Sequence, residues 1–199
     1  MNTKNFPLEA YGAAVSREEL VQAALDEITK NYREASLSNV ARSYGVSLAY
    51  VSECVRAQTG KTYKELLQKH RMETAARLRA AGWRLAIVSN KPDNATKALW
   101  KTYFPTFDLA LGEGPGLPRK PAPDMALRAL ELLDTPRENA VYIGDSEVDV
   151  ATARAAGIPC ISACWGYRSE GELLAAGARR LCHSPAEVPD ALEELLHGQ

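Results

Sequence analysis

With 199 residues and 46% apolar content the chain is long enough to bury a substantial core, and its length falls between one large domain and two small ones. A net charge of −1 excludes a uniformly basic nucleic-acid binder, and no apolar run approaches the roughly 20 residues of a membrane span. That average hides an asymmetry: residues 1 to 80 hold 12 Lys+Arg against 9 Asp+Glu, residues 81 to 199 hold 12 against 16, and residues 30 to 80 alone hold 10 against 4.

Residues 1 to 16, with Pro7 and Gly12 and no apolar period, read as an extended arm. Ser16-Arg17-Glu18-Glu19 is a capping box, and Leu20, Ala23, Ala24 and Ile28 give one apolar face, which predicts a helix to about Lys30. A short helix from Leu37 to Tyr44 is stopped by Gly45; Ser47 caps another from Leu48 to Gln58, which Gly60 ends; a fourth runs from Tyr63 to about Arg79. Beyond Gly82 strands and helices alternate. The predicted strands are Trp83–Ser89, Phe107–Leu111, Ala140–Ile143, Cys160–Ala163 and Arg180–Cys182. Helices fall at Asn94–Thr102, Pro123–Leu133, Val148–Ala156, Glu170–Ala176 and Pro185–Leu196. Helices between nearly all strands make the sheet mostly parallel. The expected fold class is α/β: an N-terminal helical, helix-turn-helix-like unit over 1–79 and an incomplete Rossmann-like sheet with flanking helices over 80–199.

The wording of the first half is specific. Asn31-Tyr32, Ser47-x-x-Tyr50-Val51-Ser52, Thr59-Gly60-Lys61-Thr62-Tyr63, and then Leu66, Arg71, Ala75 and Leu78 resemble the first helix-turn-helix of the AraC-type transcription regulators, over residues 20 to 79. The resemblance implies a helix, Leu48 to Gln58, that enters the major groove. Its outward residues include Ser52, Glu53 and Arg56. That set is poor in base-reading groups, so DNA contact would be weak and mostly electrostatic, carried by Arg56, Lys61 and Lys64 with Ser52 beside them.

In the second half, Val141-Tyr142-Ile143-Gly144-Asp145-Ser146-Glu147-Val148-Asp149 is an apolar strand opening onto two carboxylates, whose hard oxygens suit Mg²⁺. Leu85 to Ser89 is a strand ending in a hydroxyl followed by Asn90, and Arg119-Lys120-Pro121-Ala122-Pro123 presents an ammonium at a helix start. Taken in order these resemble the second, third and fourth signature motifs of the haloacid dehalogenase-like phosphatases, most closely the phosphoglycolate-phosphatase branch. The resemblance implies phosphate binding by Ser89, Asn90 and Lys120 and a Mg²⁺ site at Asp145 and Asp149. The family's first motif, an Asp-x-Asp-x-Thr segment that supplies the attacking carboxylate, has no counterpart, because the chain contains no Asp-x-Asp. No catalytic nucleophile is assigned, and Mg²⁺ would be held weakly.

Cys54, Cys160, Cys164 and Cys182 lack Cys-x-x-Cys spacing and read as buried thiols rather than zinc ligands or disulfides. His70, His183 and His197 have no partners at ligand spacing and receive no role. The leading functional expectation is a weak DNA-binding module fused to a catalytically impaired phosphatase-like domain that retains phosphate binding, in a gene fusion or engineered chimera. One alternative is a Mg²⁺-dependent phosphatase of small phosphate monoesters whose nucleophile comes from elsewhere, such as Glu9, Asp26 or a second chain in a homodimer; another is a non-functional fusion. The expected location is cytoplasmic, with no membrane partner. With no apolar run before residue 83 to serve as the family's central strand, the strands ending at Ser89 and Asp145 are expected to close up and pair directly.

Overall fold

The computed structural model describes residues 15–30 and 35–197, so the predicted N-terminal arm lies almost wholly outside it. The chain divides into two compact units, Met1–Arg71 and Met72–Gln199. This division falls within a helix, N-terminal to the 79/80 boundary expected from the change in sequence pattern.

The first unit contains α1 (Arg17–Lys30), α2 (Leu37–Ser43), α3 (Leu48–Thr59) and the start of α4 (Tyr63–Ala80). Each begins at a side-chain cap. Glu19 N donates to Ser16 Oγ at 3.1 Å while Ser16 N donates to Glu19 Oε2 at 2.8 Å. Tyr50 N donates to Ser47 Oγ at 3.2 Å, and Thr62 with Glu65 forms a reciprocal pair at the head of α4. Such pairs satisfy amide groups that the first helical turn leaves without partners. Gly60 at φ 69° closes α3, a left-handed position that glycine takes without steric cost. Apolar residues at helical spacing, Leu20, Val21 and Ala24 on α1, Val40 and Ala41 on α2, Val51, Cys54 and Val55 on α3, form one buried core.

The second unit holds β1 (Ala86–Pro92), α5 (Asp93–Tyr103), β2 (Leu109–Glu113), α6 (Asp124–Leu132), β3 (Tyr142–Gly144), α7 (Glu147–Ala156), β4 (Cys160–Ala163), α8 (Glu170–Ala175), β5 (Arg180–Cys182) and α9 (Val188–His197). Every ladder between the named strands is parallel, as the alternation implied: β1 with β2, β3 with β4, β4 with β5. Two clusters pack against the strands. One joins Leu78 of α4 to Ile161, Cys182, Val188 and Leu192; the other joins Ala126 of α6 to Tyr142, Ala153, Ala156 and Ile158, with Val88 of β1 against it.

The expected pairing of β1 with β3 does not occur. The strands form two separate sheets, β1-β2 and β3-β4-β5, and among the described residues no ladder joins them. Direct pairing follows only if both edges are buried, where an unpaired peptide group costs roughly 1–3 kcal/mol. Burial proves different. Along β1 no residue is fully buried, and Ile143 of β3 is 43% exposed whereas Ile161 of the inner strand β4 is 0% exposed. Where an edge is partly open its peptide groups can bond to water, and the penalty falls.

Candidate active site

The carboxyl ends of β1 and β3 carry the polar groups, as in open α/β sheets generally. Asn90, on β1, acts as a side-chain clamp on the segment before α6: its Nδ2 donates to Lys120 O at 3.1 Å and its Oδ1 accepts from Lys120 N at 2.6 Å. With its backbone held, Lys120 reaches across and its Nζ donates to Asp149 Oδ1 at 2.6 Å. A single lysine thus links the end of β1 to the first turn of α7.

Asp149 is 5% exposed and fully engaged. Oδ1 also accepts from Tyr142 OH at 3.2 Å, and Oδ2 accepts from Ser146 Oγ at 2.6 Å and from Asp145 N at 3.2 Å. Burial pushes the Asp149 carboxyl upward, but hydrogen bonds from Lys120 and Ser146, with the charge of Lys120, outweigh it and hold the group below its ordinary value. The same pocket raises the Tyr142 phenol, through burial first and the Asp149 charge second.

Asp145 is less encumbered. Its Oδ2 accepts from Tyr167 N at 2.9 Å, its backbone carbonyl accepts from Arg168 N at 3.2 Å, and Oδ1 has no bonding partner among the described residues. A Cβ built on Gly166 would lie 2.1 Å from Asp145 Cβ, so only glycine lets the 164–169 loop lie this close. On the rim Arg168 grips Glu147 through two hydrogen bonds of 2.7 Å; those bonds hold the Glu147 carboxyl down at about 2.

The structure therefore brings Asn90, Lys120, Asp145 and Asp149 to one cleft, whose lining also includes Ser146, Glu147, Tyr167 and Arg168. Ser89 is absent from that lining; its Oγ accepts from Lys91 N at 3.2 Å, capping its own turn. Tyr142, Ser146, Tyr167 and Arg168 were not singled out from the sequence. Ser146 was detectable, as a serine three residues before an acidic residue at a helix start; Tyr167 and Arg168 arrive from a distant loop and leave no local signal. Of the alternative nucleophiles, Asp26 sits on α1 in the first unit, where Oδ1 accepts from Gln22 Nε2 at 2.8 Å, and Glu9 lies outside the described residues.

As a Mg²⁺ site the cleft is partial. Asp145 offers a hard, accessible oxygen, and Mg²⁺ commonly takes one or two carboxylates and completes its shell with water and substrate phosphate. Asp149 has no oxygen to spare while Lys120 and Ser146 hold it.

The second unit is a parallel α/β core flanked by helices, with Asn90, Lys120, Asp145 and Asp149 at the carboxyl ends of its strands, and the chain belongs to the haloacid dehalogenase-like hydrolases, matching that family over residues 4–157. It is 40% identical over 119 residues to a plasmid-encoded phosphoglycolate phosphatase of Cupriavidus necator, covering 59% of this chain and 52% of that one. It is 26% identical over 175 residues to a phosphoglycolate phosphatase of Aquifex aeolicus, covering 78% and 82%. A solved structure described as a candidate phosphoglycolate phosphatase, from Lactobacillus delbrueckii subsp. bulgaricus, superposes with a TM-score of 0.60 at 30% identity, covering 87% of this chain and 78% of that one. The chain spans about half the length of several curated relatives it matches. The family match runs unbroken across residues 79 and 80, where the sequence pattern suggested a junction, and gives no support to a chimera or to an AraC-type unit. No described helix is long and apolar enough to cross a membrane.

Proposed function

We propose that this chain is a Mg²⁺-dependent phosphatase of small phosphate monoesters of the phosphoglycolate class, completed by a carboxylate from outside the described residues. The observation that carries the reading is the clamp Asn90–Lys120–Asp149. An ammonium has three donors; Asp149 takes one and fixes the direction of the others, which are left for a phosphate oxygen. Asp145 offers its unbonded oxygen to Mg²⁺, which when bound neutralises phosphate charge and orients the ester. The attacking group would enter beside β1 and β3, which share no ladder among the described residues. The relatives' names favour this reading over an inert phosphate sensor.

The test is hydrolysis of phosphoglycolate and p-nitrophenyl phosphate by the 199-residue chain with and without Mg²⁺, beside calorimetric binding of inorganic phosphate. Turnover that requires Mg²⁺ and disappears in Asp145→Asn supports the proposal. Phosphate binding without turnover at any chain concentration would reduce it to a binding domain, and loss of both would remove it.

A second reading, DNA binding by the first unit, draws on one observation: Ser52 and Arg56 on α3, and Lys61 and Lys64 beside it, are all exposed. A salt titration of duplex binding tests it, since each phosphate contact adds about 0.9 to the log–log slope. No binding at low salt would end it.

A further inference from the structure

Among the described residues, one set of metal-ligand side chains outside the phosphate cleft lies together: the ligand atoms of Cys164, Glu170 and His183 are all within 4.8 Å of one another. Neither sequence spacing nor the phosphatase reading accounts for them. Their positions follow from the sheet. Ala163 of β4 pairs with Cys182 of β5, and Cys164 N continues the ladder by donating to Cys182 O at 2.9 Å. Cys164 and His183 are therefore the next residues off two adjacent parallel strands. His183 is steadied by its backbone N donating to Glu187 Oε2 at 3.0 Å. Glu170 opens α8, whose start is fixed by the capping box between Ser169 and Glu172.

We infer that Cys164, Glu170 and His183 form a binding site for a thiophilic divalent cation of the zinc class. The donor set decides the ion: thiolate, imidazole and carboxylate together are a borderline-soft combination, which Zn²⁺ accepts and Mg²⁺ does not. Size agrees. Around a tetrahedral Zn²⁺ with Zn–S of about 2.3 Å and Zn–N and Zn–O of about 2.0–2.1 Å, ligand atoms stand about 3.4–3.6 Å apart. His183 Nδ1 and Glu170 Oε2 are already 3.8 Å apart, close to the spacing that a shared ion requires. With the His183 and Glu170 side chains 60% and 50% exposed, the site opens to water, which takes the fourth position. Binding displaces the Cys164 thiol proton to solvent as the metal–sulfur bond forms, so affinity rises with pH.

The site also has a structural consequence. Cys164 and Glu170 bracket the loop whose Tyr167 and Arg168 amides hold Asp145. A metal ion would tie off both ends of that loop while lying apart from the carboxylate it positions.

The experiment is a Co²⁺ titration of the full chain under reducing conditions, read by the thiolate-to-cobalt charge-transfer band, followed by displacement with Zn²⁺. One cobalt per chain with that band is expected, bleached by Zn²⁺. The band should be lost in Cys164→Ser and in His183→Ala, the latter an exposed change whose folding is checked by circular dichroism, and should persist in Asp145→Asn. Absence of the band in the wild-type chain, or its survival in Cys164→Ser or His183→Ala, overturns the inference. Because Asp145 is not one of the three ligands, and asparagine keeps a side-chain oxygen to accept from Tyr167 N, this outcome is separable from failure of the phosphatase reading.

Discussion

Gly144 and Asp149 stand so close that a Cβ built on the glycine would lie 2.1 Å from the Asp149 Cβ and 2.5 Å from its carboxyl carbon, far inside van der Waals contact. The last residue of β3 must be glycine for α7 to begin where it does. Gly144→Ala is expected to displace Asp149, loosen its hold on Lys120 and destabilise the second unit by about 1–3 kcal/mol. A urea titration followed by tryptophan fluorescence checks this. Unchanged stability with unchanged phosphate binding would contradict the contact.

Asp149 also sets an acid limit. Its carboxyl lies below its ordinary value of 3.8 in the folded chain, so the unfolded chain takes up its proton first as pH falls. The contribution of Asp149 is therefore fully present above the unfolded value and is lost as pH drops through the lower folded one. Melting temperature measured on acidification from neutrality should fall in that window. In Asp149→Asn this part of the fall should be missing; a wild-type curve with no drop there would refute the assignment.

The two sheets predict a pattern of amide exchange. β4 is paired on both sides, whereas among the described residues β1 and β3 each have one ladder. Amides of Ile161 and Ser162 are expected to be the most protected, and those of β1 and β3 that face away from their partners to exchange rapidly. Hydrogen exchange read by NMR decides it. Uniform protection along β1 would mean that a further strand covers its edge.

Within the first unit, Leu20 is 0% exposed at the centre of the three-helix core. Leu20→Ala should cost about 2–5 kcal/mol, measured by chemical denaturation with helical circular dichroism as the signal. A change below about 0.5 kcal/mol, typical of surface positions, would show that this core does not hold α1.

Most of the element order was legible because its signals are local. Ser16, Ser47 and Gly60 marked helix ends, and the apolar run to Ile143 marked a strand, at positions that the structure keeps within a few residues. The convergence of Asn90, Lys120, Asp145 and Asp149 was legible only through resemblance, since it depends on three elements meeting. Ser89, on the same strand as Asn90, accepts the Lys91 amide with its hydroxyl oxygen, a local bond that still leaves its O–H to donate. The pairing of β1 with β3 was misjudged because burial, which set its supposed advantage, is a tertiary property. The proximity of Cys164 and His183 leaves no sequence signal, because parallel strands juxtapose residues 19 positions apart, beyond any spacing rule.

The interrupted sheet has a mechanical consequence. A continuous ladder would make the second unit melt as one block, but here the β1-β2 half and the β3-β4-β5 half share no peptide hydrogen bonds among the described residues. Among those residues their coupling runs through side chains: Val88 packed against the cluster that holds Tyr142 and Ala126, and the Asn90–Lys120–Asp149 thread. Lys120 is then as much a hinge pin as a ligand: its removal would leave the apolar cluster alone to couple the two halves.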